Sequence, residues 1–155
     1  MNPDTLAPPA PAASALAPPF SVLLVDDDDV ATEGVLRSFR KLGVHCQTVT
    51  AEDGLVALEI LRNQHPSRRL SPPYLVLLDL NMPRMDGFQF LEVLRKDPAL
   101  KQTVVFVLTT SSRDADRTRA YNENVAGFMV KSAVGPQFSL LANFLDKYAA
   151  SVRLP

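Results

Sequence analysis

Apolar residues along this chain fall into two alternating patterns: short unbroken runs, and longer stretches with a three-to-four residue repeat. The runs at 22–25, 74–78, 103–108 and 126–130 are strand-sized, as is the mixed stretch 44–50, and the run 74–78, Tyr-Leu-Val-Leu-Leu, is apolar throughout. Runs without a polar face suit a sheet covered on both sides. Between them, helical spacing predicts helices over 30–42, 53–63, 87–96 and about 113–122, and a fifth with Pro136 in its first turn. The inward stripes are Val35, Phe39 and Leu42, then Leu55, Leu58 and Leu61, then Phe88, Leu91 and Leu94. In the last helix Leu141, Phe144, Leu145 and Tyr148 share a face. Asp29 reads as the N-cap of the first helix, Gly43 as its stop, and Asp97-Pro98 as the end of the third. A polar, proline-marked loop covers 64–73.

Strands alternating with helices demand parallel pairing through right-handed crossovers. The predicted fold is α/β: a flavodoxin-like, doubly wound, five-stranded parallel sheet in the order 2-1-3-4-5, with five helices on its two faces.

Composition narrows the function classes. A chain of 155 residues makes one domain with room for a real core. The formal net charge of −1 gives no electrostatic case for nucleic-acid or anionic-membrane binding. The single cysteine, Cys46, excludes a disulfide framework and suits the cytoplasm; on the second strand it reads as a packing residue. His45 and His65 read as surface or loop residues. The apolar runs fall short of a membrane span. Residues 1–19 hold six prolines and six alanines but no Lys or Arg, unlike a secretory signal, and are expected to form a disordered extension. The domain is then expected over 20–150, with an apolar tail at 151–155.

The chemistry gathers at strand ends. The third strand stops at Asp79 and the first at Asp26 and Asp27; in the predicted order these strands are neighbours and end on one rim. Asp79 alone would read slightly better as a turn opener, and Asp28 and Asp29 read as a solvated, capping run. Three clustered carboxylates repel one another unless a cation or protons intervene. An all-oxygen donor set with open positions suits a hard divalent ion, with Mg2+ the expected cofactor. Thr109 and Lys131 end the fourth and fifth strands on the same rim, where a hydroxyl and an ammonium suit phosphoryl oxygens.

The stretch Asp79-Leu80-Asn81-Met82-Pro83-Arg84-Met85-Asp86-Gly87 resembles the signature of response regulator receiver domains, and the likeness extends over roughly 22–148. The resemblance implies that Asp79 accepts a phosphoryl group from a partner histidine kinase. It also implies that Asp27, Asp79 and the Asn81 carbonyl ligate Mg2+, with Asp26 acting through water. Thr109 would be the switch hydroxyl, Lys131 the site lysine, and Phe128 the aromatic that reorients on activation, although Phe128 also reads as a core residue. The activity implied is self-phosphorylation and autodephosphorylation, not that of a conventional enzyme. One departure stands out: Ser132 follows Lys131 where the family has a proline in a cis peptide. Thr109-Thr110-Ser111 and the ending Val152-Arg153-Leu154-Pro155 resemble small receivers that serve phytochrome-type kinases.

A rival reading takes 22–30, an apolar strand then Asp-x-Asp-x-Val, as a haloacid-dehalogenase-type phosphatase with Asp26 as nucleophile and Asp28 as acid/base. The spacing of Asp79, Asn81, Pro83, Gly87, Thr109 and Lys131 favours the receiver. A dinucleotide-binding module fails because no Gly-rich turn follows the first strand. Read as a receiver without an output domain, the chain is expected to signal from the surface of its fourth helix, fifth strand and fifth helix. Leu140, Phe138 and the apolar tail predict a homodimer through that face, each tail covering its partner.

Overall fold

The computed structural model describes residues 19–155; the Ala/Pro-rich extension expected over 1–19 lies, but for Pro19, outside the described residues. Five strands form the sheet: β1 (Ser21–Val25), β2 (Gln47–Ala51), β3 (Tyr74–Leu78), β4 (Val104–Thr109) and β5 (Gly127–Val130). All neighbours pair in parallel, in the order β2-β1-β3-β4-β5, as the alternation of patterns predicts. The crossover helices are α1 (Asp29–Leu42), α2 (Gly54–Leu61), α3 (Gly87–Lys96), α4 (Asp114–Asn122) and α5 (Ser139–Ser151).

The central strands are apolar on both sides because each side meets a helical layer. Leu23, Val25, Val76, Leu78, Val105 and Val107 pack with α2, α3 and Ala120 of α4. Val22, Leu24, Leu75, Leu77, Phe106 and Leu108 pack with Val35 and Phe39 of α1 and Leu141 and Leu145 of α5. β2 lies at an edge, and its flank is closed by the 64–73 loop. Arg68 donates to the Thr50 carbonyl at 3.0 Å, and Gln47 accepts from the Ser71 N–H at 3.1 Å. Among the described residues no helix is long and apolar enough to cross a membrane.

Several expectations need correction. Asp28, not Asp29, caps α1, its carboxylate accepting from the N–H groups of Val30 and Ala31. Leu42, Leu55 and Phe144 are substantially exposed instead of buried in their stripes. α2 is apolar nearly all round, so its repeat did not single out an inward face. Pro136 belongs to a separate 3-10 turn, Pro136–Phe138, that precedes α5. Phe138 is drawn onto α1, where Ser38 donates to its carbonyl at 3.0 Å. Leu154 of the tail packs on the core of its own domain.

Candidate functional site

Parallel pairing sets the C-terminal ends of all five strands on one rim. The β1–β3 register matches Val25 with Leu78, so the next residues, Asp26 and Asp79, leave the sheet side by side. Both ends are pinned by the sheet's last bonds: Asp26 N–H to the Ala51 carbonyl at 3.0 Å, and Asp79 N–H to the Val25 carbonyl at 2.9 Å. Gly87 opens α3 directly against this turn. A Cβ there would come within 2.5 Å of the Asp79 carbonyl oxygen, so only glycine allows the helix to approach.

Asp26 and Asp79 are buried, whereas Asp27 faces solvent, and carboxylate oxygens of all three lie within 4.8 Å of one another. Lys131, one residue past β5, reaches across the rim. Its Nζ lies 2.7 Å from Asp26 Oδ2 and 3.5 Å from Asp79 Oδ2. Asp26 Oδ1 also accepts the Asp28 N–H at 2.9 Å, and Asp79 Oδ1 accepts the Leu80 N–H at 2.8 Å. Burial pushes the Asp26 carboxyl above its ordinary range; Lys131 and the Asp28 N–H oppose this, while the Asp79 charge adds to it. For Lys131, burial works against the charge, but the bonds to and charges of Asp26 and Asp79 together outweigh it and raise the ammonium above its usual value.

The structure thus gathers Asp26, Asp27, Asp79 and Lys131 into one cluster. Thr109 closes β4 on the same rim, fully buried, its hydroxyl oxygen accepting the Ser111 N–H at 3.3 Å. Phe128, half-buried in β5, packs on the α2–α3 side of the core. Asn81 is exposed in the loop that leaves β3. The chain leaves Lys131 through a 3-10 turn, Lys131–Ala133, and the Lys131–Ser132 bond is trans, so the loop is rebuilt where the family carries its cis proline.

An exposed acid beside two buried ones, all oxygen donors with a single ammonium among them, is a donor set that suits a hard divalent cation. Asp28 does not fit the acid/base role of the phosphatase reading, because its carboxylate is spent capping α1. Sequence reasoning missed Arg84, which pairs with the buried Asp53 at 2.6 Å beside this site. Their separation of 31 positions leaves no local signal.

Comparison with known proteins agrees with this geometry. Residues 22–140 match the response regulator receiver domain family. Response regulator Rcp1 of Synechocystis sp. is 33% identical over 139 residues, covering 89% of this chain and 95% of that protein. The crystal structure of the phosphorylated cyanobacterial phytochrome response regulator RcpA superposes with a TM-score of 0.74 at 29% identity, covering 87% of this chain and 97% of that one. The Mn(2+)-bound form of Rcp1 gives the same TM-score of 0.74 and 29% identity, over 87% of this chain and 98% of that one.

Proposed function

Because the chain belongs to the response regulator receiver domain family, we propose that it accepts a phosphoryl group from a sensor histidine kinase onto Asp79. The convergence of three carboxylates and Lys131 at the ends of adjacent strands carries this reading. An Asp79 carboxylate oxygen attacks the phosphorus of a phosphoimidazole in line. The O–P bond forms as the N–P bond breaks, and the imidazole nitrogen keeps the electron pair. The Lys131 ammonium moves from Asp26 toward the transferred group and neutralises one phosphoryl oxygen, and the Thr109 hydroxyl donates to another. Asp27, Asp79 and the Asn81 carbonyl would hold Mg2+, with Asp26 acting through water. When bound, the ion supplies positive charge to the phosphoryl oxygens. Water later hydrolyses the acyl phosphate.

A phytochrome-type kinase is the proposed partner, in keeping with the likeness to a cyanobacterial phytochrome response regulator, and both proteins are placed in the cytoplasm. A groove of about 520 Å3 between α1 and the 136–138 turn offers the kinase a docking surface. Val30 and Leu42 supply its apolar contacts, and Arg37 and Lys41 favour an acidic flank. Output leaves from the surface of α4, β5 and α5. There α4, β5 and α5 enclose an apolar groove of about 570 Å3 bordered by Tyr121, Leu140 and Phe144, and we assign to it a homodimer contact.

Acetyl phosphate with Mg2+, followed by mapping of the labelled residue, tests the assignment. The label is expected on Asp79 and absent from Asp79→Asn, whose amide is a poor nucleophile. A label on Asp26 would restore the phosphatase mechanism. Phosphotransfer profiling against the histidine kinases of the source organism then identifies the partner.

A further inference from the structure

The loop from Asn81 to Asp86 carries the proposed carbonyl ligand, and its two ends are held from within. Leu80 accepts the Gly87 N–H at 2.9 Å, and Asp86 caps α3 by accepting the Gln89 N–H at 2.9 Å. Its middle is held from outside, by the β2–α2 turn. The Asp53 side chain is only 3% exposed and uses both oxygens: Oδ1 accepts the Val56 N–H at 3.0 Å, and Oδ2 accepts Arg84 Nε at 2.6 Å. One residue on, the Gly54 N–H donates to the Met85 carbonyl at 3.0 Å. A Cβ on Gly54 would meet Met85 Cγ at 2.7 Å, so the two turns touch along their backbones. Arg84 itself has φ 61, a left-handed conformation that costs a side-chain-bearing residue energy and persists only where neighbours enforce it.

A side chain 57% exposed, in a strained turn, paired with an almost fully buried acid, is more than a surface ion pair. Losing Arg84 leaves a buried carboxylate without its cationic partner and a left-handed turn held only by the Gly54–Met85 backbone bond. We propose that Asp53 and Arg84 are positioning residues: their ion pair clamps the β3–α3 loop in the shape that offers the Asn81 carbonyl to the divalent ion. The proposal rests on the metal site assigned above. The clamp acts one step behind the ligand, as groups that orient metal ligands do, and such groups set affinity as much as the ligands themselves.

The test is Mn2+ titration followed by electron paramagnetic resonance of the free ion. It compares the wild type, Asp27→Ala, Arg84→Ala, Arg84→Lys, Asp53→Asn and the Arg84→Ala/Asp53→Asn double variant. Asp53→Asn keeps the helix cap, because asparagine caps as well as aspartate. Arg84→Ala and Asp53→Asn are each expected to weaken Mn2+ binding by roughly tenfold. The double variant should be no weaker than either single one, since one contact is lost in all three. Arg84→Lys should recover most of the affinity by restoring the charge. The Mg2+ concentration for half-maximal phosphorylation by acetyl phosphate should rise by the same factor. Unchanged Mn2+ affinity with a lowered melting temperature would reduce the pair to a structural brace and overturn the clamp. If the wild type binds Mn2+ no better than Asp27→Ala, the metal site itself fails and the clamp falls with it.

Discussion

Lys131 Nζ lies 2.7 Å from Asp26 Oδ2 and 3.5 Å from Asp79 Oδ2, so the ammonium is paired with the acid that is not the proposed acceptor. The Asp79 oxygen nearest the lysine keeps only this longer contact, so no short hydrogen bond from the ammonium occupies it. In the same position the lysine occupies the positive share of a site that a divalent ion also seeks.

Removing that competitor should therefore separate binding from chemistry. Lys131→Gln takes one positive charge from a pocket of three carboxylates, and a cation beside it gains about 1.4 kcal/mol, or roughly tenfold in affinity. Mn2+ titration should show tighter binding, while phosphorylation by acetyl phosphate slows. Weaker metal binding by this variant would contradict the competition.

Asp26 gives the fold a pH dependence of definite sign. Burial raises its carboxyl above the ordinary value of 3.8, so the native state binds this proton more tightly than the unfolded chain does. The stabilisation is complete below the unfolded value and is lost as pH rises through the folded one. In metal-free buffer, Asp26→Asn should flatten the decline of stability above about pH 4. Its advantage over the wild type should grow toward neutral pH. Parallel stability curves for the two proteins, measured by urea unfolding with a chelator present, would exclude this role.

Helix α4 is held more firmly at its C-terminal end than at its first turn, where Ser111 Oγ donates to Asp116 Oδ2 at 2.6 Å. Only Ala120 of its residues is buried, and Arg113 at its N-cap makes no side-chain cap bond among the described residues. At the other end Arg95 donates to the carbonyls of Glu123 at 2.7 Å and Asn124 at 3.0 Å, and to Lys101 and Thr103 in the loop before β4. Arg119 adds a contact by lying 4.0 Å over the Phe88 ring. Hydrogen exchange is expected to be fastest over the first turn of α4 and slower toward Asn122, with a phosphoryl mimic changing protection over 113–130. Arg95→Met should cost about 2 kcal/mol and erase the gradient. Uniform exchange along the wild-type helix would refute the gradient.

The homodimer prediction now rests on side chains other than the tail. Leu140, Tyr121 and Phe144 stand 57%, 47% and 41% exposed around one groove, and Leu154 already packs on its own domain. Leu140→Asp should shift sedimentation toward monomer, whereas deletion of 151–155 should have a smaller effect on assembly than on stability. Sedimentation of the wild type as a monomer at tens of micromolar, phosphorylated or not, would remove the dimer; a concentration of about that order tests any interface of modest affinity.

The strand–helix alternation and the residues at the strand ends were legible in the chain. An apolar run long enough for one strand must be covered on both sides, and parallel crossovers send each strand end to the same rim. Asp26, Asp27, Asp79, Thr109 and Lys131 could therefore be assembled without coordinates. What the sequence could not determine is which groups pair across the fold. Lys131 meeting Asp26, Arg84 meeting Asp53 and Arg95 capping the end of α4 join positions 105, 31 and 28 apart. The outward turn of Leu55, the transfer of the α1 cap to Asp28 and the packing of Leu154 on its own core are of the same kind. Periodicity reports which residues avoid water, whereas partners are chosen by the backbone geometry that brings distant turns together, and that geometry exists only in the folded chain.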